Sequence, residues 1–351
     1  MSNAFKRGGT EYIRARIEEA IQSKRRCATV SGEWEIAEAI RLPSDFTLIL
    51  EDCHLRQADG CYENIFVNEH NETEIGKTLD GTDRNISILG KGRAVLDGGE
   101  YNGLGERTPP DERPAPLYKN HLIFFTNVDG FKISGLQCIH QRYWATNFVY
   151  CRNGYIGDID FCADDRRIDQ SGNLVHGLIQ GDLYSNIYIK NADGIDLRGG
   201  CQNITIENIT GFTEDDTVAL TALDGPSLRR FAVAGLSSDI CNVTIKNVRA
   251  AAFCSLVRLL NQGDIKLHDI EVDGVFDTCE SCLHLDKGGR AVRVGDRYLY
   301  GPRHCTKDET YNITVKNVYA AGGEALALAG EIGNLVIYGI ECAEGTKMFA
   351  E

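Results

Sequence analysis

Three aspartates near the middle of the chain have the types and spacing that acid–base chemistry needs. Asp193 lies in the segment Asn-Ala-Asp193-Gly-Ile-Asp, and the pair Asp215 and Asp216 lies in Glu-Asp215-Asp216-Thr-Val-Ala-Leu. Hydrolysis of a glycosidic bond needs one protonated carboxylic acid for the leaving oxygen and one carboxylate that activates water or attacks the sugar. Crowded carboxylates repel each other, so at least one of the three is expected to have a raised pKa.

The spacing of these aspartates has meaning only on a regular coil. Asp193 and Asp215 are 22 residues apart, which would bring them together if the chain completes one coil in that distance. Asp215 and Asp216 are consecutive, so both can face one site only at a bend or bulge, which Gly211 and Thr213 favour. Two other interpretations are open: solvent-exposed turn acids, and a calcium site.

The element that must position these residues is a short strand pattern that recurs along the chain. Each member alternates apolar and polar residues, is rich in β-branched types and has Asn, Asp or Gly at its ends, as expected for half-buried strands between turns. The members begin at Asn85, Gly130, Asn186, Asn203, Asn242, Asp264, Asn312 and Asn334.

The distances between these starts predict the fold. Asn242 to Asp264 and Asn312 to Asn334 are each 22 residues, and other intervals are near multiples of that length or are lengthened by loops. A repeat of this length with short strands and no helical segment predicts an all-β, right-handed parallel β-helix rather than a leucine-rich repeat. We expect inward residues to stack between coils and the Asn side chains to stack at the turns.

The whole chain, 1–351, is expected to form one such domain. Apolar residues at helical spacing after Tyr12 predict an N-terminal capping helix at about 10–25, followed by coils over about 26–345. Loop insertions are expected at about 104–120, which is rich in proline, and at about 285–305. The second insertion is basic, and it could be a solvated loop or a lid that brings positive charge to an acidic sugar.

The net charge of the chain limits the classes of molecule that it is expected to bind. The chain has 37 basic and 51 acidic residues, a formal net charge of −14. Such a charge argues against nucleic acid and anionic membranes as partners, and no run of apolar residues is long enough to span a membrane. The expected partner is an oligosaccharide. An exposed end coil also leaves a homo-oligomer possible.

The chain shows no apolar secretory signal near its start, and its 13 cysteines are an odd number, so a reducing, cytoplasmic location is expected. Cys279-Glu-Ser-Cys282 with His284, His304 and Cys305 could be a zinc site, but a second Cys-x-x-Cys is missing. We therefore expect structural cysteines, and neither a metal nor another cofactor.

The acidic segments resemble glycoside hydrolase family 28, the polygalacturonase-like enzymes. The hallmark Asn-Thr-Asp-Gly-x-Asp is matched by residues 191–196, and the following Asp-Asp-Cys-Ile-Ala by 215–219. Residues 83–102 and 140–148 resemble two further coils of the family. The resemblance implies that Asp215 is the general acid, that Asp193 and Asp216 hold and activate water, and that the anomeric centre inverts. It also places Asn191 among the substrate-binding residues.

The chain departs from the family in its other substrate-binding motifs. The Gly-His-Gly motif is missing from residues 224–238, and Arg-Ile-Lys appears only as Arg258-Leu-Leu. Arg258 can still bind a carboxylate. His176 and His284 are candidates for the missing histidine, although a lone His beside a strand is commonly structural. Tyr143 and Trp144 are candidates for a platform that stacks on a sugar ring.

The sequence therefore favours a divergent, exo-acting glycosidase for pectin-type oligosaccharides that contain uronate or rhamnose. Two alternatives stay open. One is a β-helix lyase or epimerase that acts on uronates with calcium and an Arg or Lys base. The other is a non-catalytic, sugar-binding or structural β-helix.

Overall fold

The chain winds into a right-handed parallel β-helix whose coils contribute strands to two parallel ten-stranded sheets. The structure is a computed structural model, and it describes residues 5–99, 116, 118–141, 144–163, 167–168, 174–175, 192–252, 254–278, 289–295 and 303–350. Every neighbouring pair in both sheets is parallel, as the repeat predicts.

The first sheet holds the longer strands: β1 (Cys27–Ile36), β3 (Phe46–Gln57), β5 (Asp83–Asp97), β7 (Val128–Ile139), β9 (Arg152–Cys162), β13 (Gln202–Thr213), β15 (Ile240–Ala252), β17 (Leu267–Asp277), β19 (Thr310–Ala320) and β21 (Gly333–Cys342). These strands turn at residues with positive φ, such as Asn208 in β13 at 57°. Asn tolerates this left-handed conformation better than most side chains do.

The second sheet holds the shorter strands: β2 (Ile40–Leu42), β4 (Phe66–Asn68), β6 (Ile123–Thr126), β8 (Trp144–Val149), β12 (Asp193–Arg198), β14 (Val218–Ala222), β16 (Ser255–Asn261), β18 (Arg290–Val294), β20 (Glu324–Leu328) and β22 (Lys347–Ala350). The remaining elements among the described residues are a two-stranded antiparallel pair, β10 (Arg167–Ile168) and β11 (Leu174–Val175), a 3-10 turn (Ile75–Lys77) and the helices α1 (Gly9–Gln22) and α2 (Pro226–Arg230).

The core is an elongated column of apolar residues enclosed by the coils. Ile206, Ile245, Val272 and Val315 lie on successive coils in register, and all are fully buried. Helix α1 buries Ile13, Ile17 and Ala20 against the first coil and confirms the expected cap. Stacking of apolar side chains from one coil to the next thus forms the single main core cluster.

Two details of the predicted repeat are wrong. The segment beginning at Asp264 was expected to be a strand in line with Asn242, but the register aligns Asn242 with Asp269, because β17 begins only at Leu267. Also, β18 lies within the predicted loop insertion at about 285–305. Its Ala-Val-Arg-Val alternation buries valines in the core, and this burial makes it a strand.

Among the described residues, no helix is long and apolar enough to cross a membrane. The eleven described cysteines are all free thiols, and Cys138, Cys151 and Cys201 are fully buried. Burial raises the pKa of Cys201 to about 12, which suits a small core residue. The zinc interpretation depends on Cys279, Cys282 and His284, which lie outside the described residues.

Candidate active site

The three aspartates lie where two neighbouring strands of the second sheet begin. The register pairs Ile195 of β12 with Val218 of β14. Asp193 and Asp216 each lie two residues earlier, so they occupy equivalent positions on adjacent coils. The 22-residue spacing predicted that Asp193 lies beside Asp215. The register instead aligns Asp193 with Asp216, one residue further along, because the strand pairing and not the spacing of the acids sets the coil length.

A bend between β13 and β14 turns the second coil's aspartates toward the site. The Asp216 amide donates to Asp193 Oδ1 at 3.1 Å, and the Gly194 amide donates to the Asp216 carbonyl at 2.9 Å. The hydroxyls of Thr213 and Thr217 lie 2.9 Å apart across the bend. These contacts satisfy the polar backbone at the turn and fix consecutive aspartates in one place.

The geometry of the cluster is compact. Asp193, Asp215 and Asp216 each have one carboxylate oxygen in the cluster, and these three oxygens lie within 4.8 Å of one another. Asp193 and Asp216 are 5% and 2% exposed, whereas Asp215 is more exposed. Such a group could also hold a cation through its oxygens.

A fourth carboxyl group, that of Asp196, completes the cluster. It is fully buried, shares a side-chain hydrogen bond with Asp193, and lies 3.2 Å from Arg198 Nη2. Ile195 and Leu197 face the core on either side of it, so strand alternation turns Asp196 to the outer face. Two carboxyl groups can share a hydrogen bond only when one of them carries a proton.

The electrostatics locate that proton. Burial raises the pKa of Asp193 well above its usual value, and the neighbouring carboxylates add to the effect. Burial also raises the pKa of Asp196 to about 7, although the Arg198 cation opposes the shift. Both shifts favour the protonated form, so the pair Asp193 and Asp196 is suited to share a proton in one hydrogen bond. At least one raised pKa was expected from the sequence.

Arg258 comes from β16, on the coil after Asp216. Its Nη1 donates to Asp216 Oδ2 at 3.1 Å, and the residue is only 6% exposed. The other oxygen of Asp216, Oδ1, is buried and has no hydrogen-bond partner among the described residues. Arg258 was expected to bind a substrate carboxylate; in the structure its guanidinium is engaged with an aspartate of the protein.

Trp144 does not form the sugar-stacking platform that its position suggested. The ring stacks on His121 of the preceding coil, with centroids 5.6 Å apart and planes 5° apart. The Arg198 guanidinium, from the following coil, lies 3.5 Å from the indole centroid. Because these neighbours leave Trp144 only 7% exposed, the indole supports Arg198 and, through it, Asp196.

Three other predicted site residues lie outside the described residues: Asn191, His176 and Tyr143. Two residues of the site, Asp196 and Arg198, were not among those predicted from the sequence. For Asp196 a signal was present, because it is a second Asp three residues after Asp193 in the same motif. For Arg198 the sequence has no such signal, because its role appears only when Trp144 and Asp196 are brought together across coils.

Comparison with known proteins supports the fold. Neither a protein-family model nor a curated protein matches the chain. Among solved structures, the iota-carrageenase of family GH82 from A. fortis has a TM-score of 0.64 at 12% identity, covering 99% of this chain and 87% of its own. The exopolygalacturonase of Thermotoga maritima has 0.54 at 15%, covering 95% and 87%. The polygalacturonase of Erwinia carotovora ssp. carotovora has 0.50 at 12%, covering 100% and 93%. These likenesses show that the chain has the right-handed parallel β-helix fold that the carrageenase and the polygalacturonases also have.

Proposed function

We propose that this protein is a glycoside hydrolase. The observation that carries the proposal is the group formed by Asp193, Asp215 and Asp216 on adjacent coils, in which one oxygen from each carboxyl group lies within 4.8 Å of the others. Such a group supplies both a protonated acid and a carboxylate within reach of one glycosidic bond. The fold that it shares with carrageenase and polygalacturonases agrees with this chemistry.

The surroundings of each carboxyl group suggest a division of roles. Asp215 is the most exposed of the three, so it is placed to protonate the leaving oxygen. Asp216 is held by Arg258 through Oδ2, which leaves Oδ1 to accept a proton from water. Asp193, whose pKa is raised by burial and which is hydrogen-bonded to Asp196, orients that water.

The family resemblance implies inversion at the anomeric centre, and burial supports it. Asp193 and Asp216 are almost inaccessible, so a sugar carbon reaches them only through a bridging water. The short distance between the carboxyl groups favours retention instead. Their oxygens lie within 4.8 Å of one another, whereas most inverting enzymes have carboxyl groups about 6.5–9.5 Å apart and retaining ones about 5–5.5 Å. The burial of Asp193 and Asp216 favours inversion more strongly, because a nucleophilic carboxylate must touch the anomeric carbon of the sugar. The anomer released first, followed by proton NMR, decides: the β anomer from an α-linked substrate supports inversion.

The substrate is the second part of the proposed function. We propose end-on cleavage of a pectin-type oligosaccharide that contains uronate or rhamnose, as the motif resemblance implies. Product profiles from galacturonide, rhamnoside and neutral oligosaccharides test this directly. Monosaccharide as the first product supports exo action, whereas a ladder of intermediate lengths contradicts it.

Substitution of Asp215 tests hydrolysis itself. Asp215→Asn removes the proposed acid but keeps the side-chain size, so activity should fall at least about 1,000-fold. Its thermal midpoint should stay equal or rise, because an amide cannot carry a negative charge in the crowded acidic cluster. Asp59→Asn, an identical change at an exposed residue on an early coil, is the matched control and should keep full activity. Equal turnover by wild type and Asp215→Asn would refute the role.

A uronate lyase is the second candidate, because the same acidic group could hold a calcium ion beside Arg258. A lyase releases an unsaturated sugar that absorbs in the ultraviolet, and its activity would be lost on adding a chelator. Reducing ends that appear without this absorbance support hydrolysis.

A further inference from the structure

The basic stretch 287–303 contains one arginine whose charge has no acidic partner among the residues that the structure describes. Arg290 donates to Glu324 at 2.9 Å. Arg303 pairs with Glu309 at 2.8 Å and with Asp264 at 3.3 Å. Arg293 makes no such ion pair within the described ranges, although acidic residues outnumber basic ones in this chain by 51 to 37.

The strand register places Arg293 beside the acidic cluster. Val292 and Val294 are buried in the core, so alternation turns Arg293 to the outer face of β18. There it pairs in register with Arg258 of β16, one strand spacing or about 4.8 Å away. Arg258 in turn reaches Asp216 at 3.1 Å. Asp216, Arg258 and Arg293 therefore form a row of charged groups on three successive coils, in which Arg258 is in register with Arg293 and reaches across to Asp216.

The position of Arg293 is electrostatically unfavourable in the free protein. Its pKa is lowered below the usual value, first by burial and then by the neighbouring Arg258 cation, while Asp216 opposes the shift. A partly buried cation beside another cation costs free energy unless an anion compensates it. Arg258 is already engaged with Asp216 and is almost fully buried, whereas Arg293 is a partly exposed residue.

We propose that Arg293 forms an anion subsite that binds a carboxylate or sulfate substituent on the sugar next to the scissile bond. The planar guanidinium suits both groups, because it donates two parallel hydrogen bonds to paired oxygens. The row places this subsite on the side of the cluster that faces β18, away from Trp144. The inference rests on the proposed glycosidase function and adds the residue that recognises the anionic group, Arg293.

Binding measured without turnover tests the subsite. In the Asp215→Asn background, calorimetric titration compares oligogalacturonides with their methyl esters, and sulfated galactan oligosaccharides with desulfated ones. Arg293→Gln should weaken binding of one anionic series by about 10- to 100-fold and leave the neutral counterparts unchanged. A loss confined to the galacturonides identifies a carboxylate, and a loss confined to the sulfated series identifies a sulfate.

Two further variants make the test specific. Arg249→Gln removes one positive charge from the first sheet, where that guanidinium lies 4.1 Å from the Phe276 ring, and should bind as the parent does. Arg293→Lys keeps the charge but loses the planar fork, so it should bind the anionic series several-fold more weakly, even if Arg293→Gln does not fold.

The subsite and the proposed function can fail separately. Unchanged anionic binding by the Arg293 variants, or no binding of either anionic series by the parent, overturns the subsite. Binding that depends on Arg293, with no hydrolysis by the wild-type protein, supports the subsite and refutes the glycosidase.

Discussion

The carboxyl group of Asp196 lies between Asp193, which donates a hydrogen bond to it, and Arg198, 3.2 Å away. Arg198 is held in turn against the indole of Trp144. These contacts hold the Asp196 carboxyl group in place, because Arg198 fixes its position, so that it can accept the hydrogen bond from Asp193. Asp196 therefore acts as a positioning residue for Asp193.

The raised pKa of Asp196 predicts how stability changes with pH. A folded-state pKa of about 7 exceeds the unfolded value of about 3.9. The folded state therefore binds the extra proton, and this stabilisation is complete below pH 4 and is lost as pH rises through 7. Asp196→Asn removes the titrating group, so its thermal midpoint relative to wild type should rise between pH 5 and pH 8.

Asp224→Asn is the control for the direction in which stability changes with pH. A hydrogen bond from Arg229 lowers the pKa of Asp224, so its contribution is present above pH 4 and is lost toward acid. The midpoint difference for this variant should stay flat between pH 5 and pH 8. If the difference in thermal midpoint between Asp196→Asn and wild type does not change between pH 5 and pH 8, the raised pKa of Asp196 is contradicted.

At the scale of elements, asparagine ladders hold the turns of successive coils together. Asn203 Nδ2 donates to Asn153 Oδ1 at 3.1 Å, and Asn242 Nδ2 donates to Asn203 Oδ1 at 3.1 Å. A parallel ladder joins Asn247, Asn208 and Asp158. The expected stacking of Asn side chains is confirmed, and their positive φ angles explain why Asn, Asp and Gly recur there.

Removing one member of a ladder should destabilise the coil locally. Asn203→Ala loses both side-chain hydrogen bonds and puts alanine, which tolerates the left-handed region less well than Asn, at a φ of 57°, so the free energy of unfolding should fall by about 1–3 kcal/mol. Asn203→Gly loses the same hydrogen bonds but relieves the backbone strain, and it should recover part of the loss. Denaturant midpoints for the three proteins measure both effects. A Gly variant no more stable than the Ala variant would exclude backbone strain.

The two ends of the whole molecule differ. Helix α1 covers the first coil, whereas the last strands, β21 and β22, leave Tyr338 and Phe349 52% and 53% exposed. Leu335 of β21 is only partly buried, although Ile313, its neighbour in register, is fully buried. Solenoid stability comes from contacts between neighbouring coils, so a coil with one neighbour is held less tightly.

Hydrogen exchange should therefore reveal the difference between the ends. Amides of β21 and β22 should exchange faster than those of β1, because opening the last coil exposes less additional apolar surface. Mass-spectrometric exchange of the wild-type protein measures this, with the central strand β13 as the slowly exchanging reference. Equal protection at both ends would show that something other than α1 covers the last coil, such as a second copy in a homo-oligomer.

The sequence alone determined the scaffold. Alternating apolar residues with Asn, Asp or Gly at the turns are local signals, and a strand repeat of about 22 residues admits few architectures, so the coil, its cap and the acidic segments could be predicted. It misplaced the Asp264 segment and the strand at Arg290, because side-chain alternation does not specify which strands pair or where an insertion ends.

The tertiary structure decided what each charge does. Whether Arg258 faces a substrate or Asp216, whether Trp144 meets a sugar or Arg198, and which aspartate holds the proton all depend on neighbours from other coils. Those contacts form between residues far apart in sequence, and burial, which sets the pKa of Asp193 and Asp196, exists only after the coils have stacked.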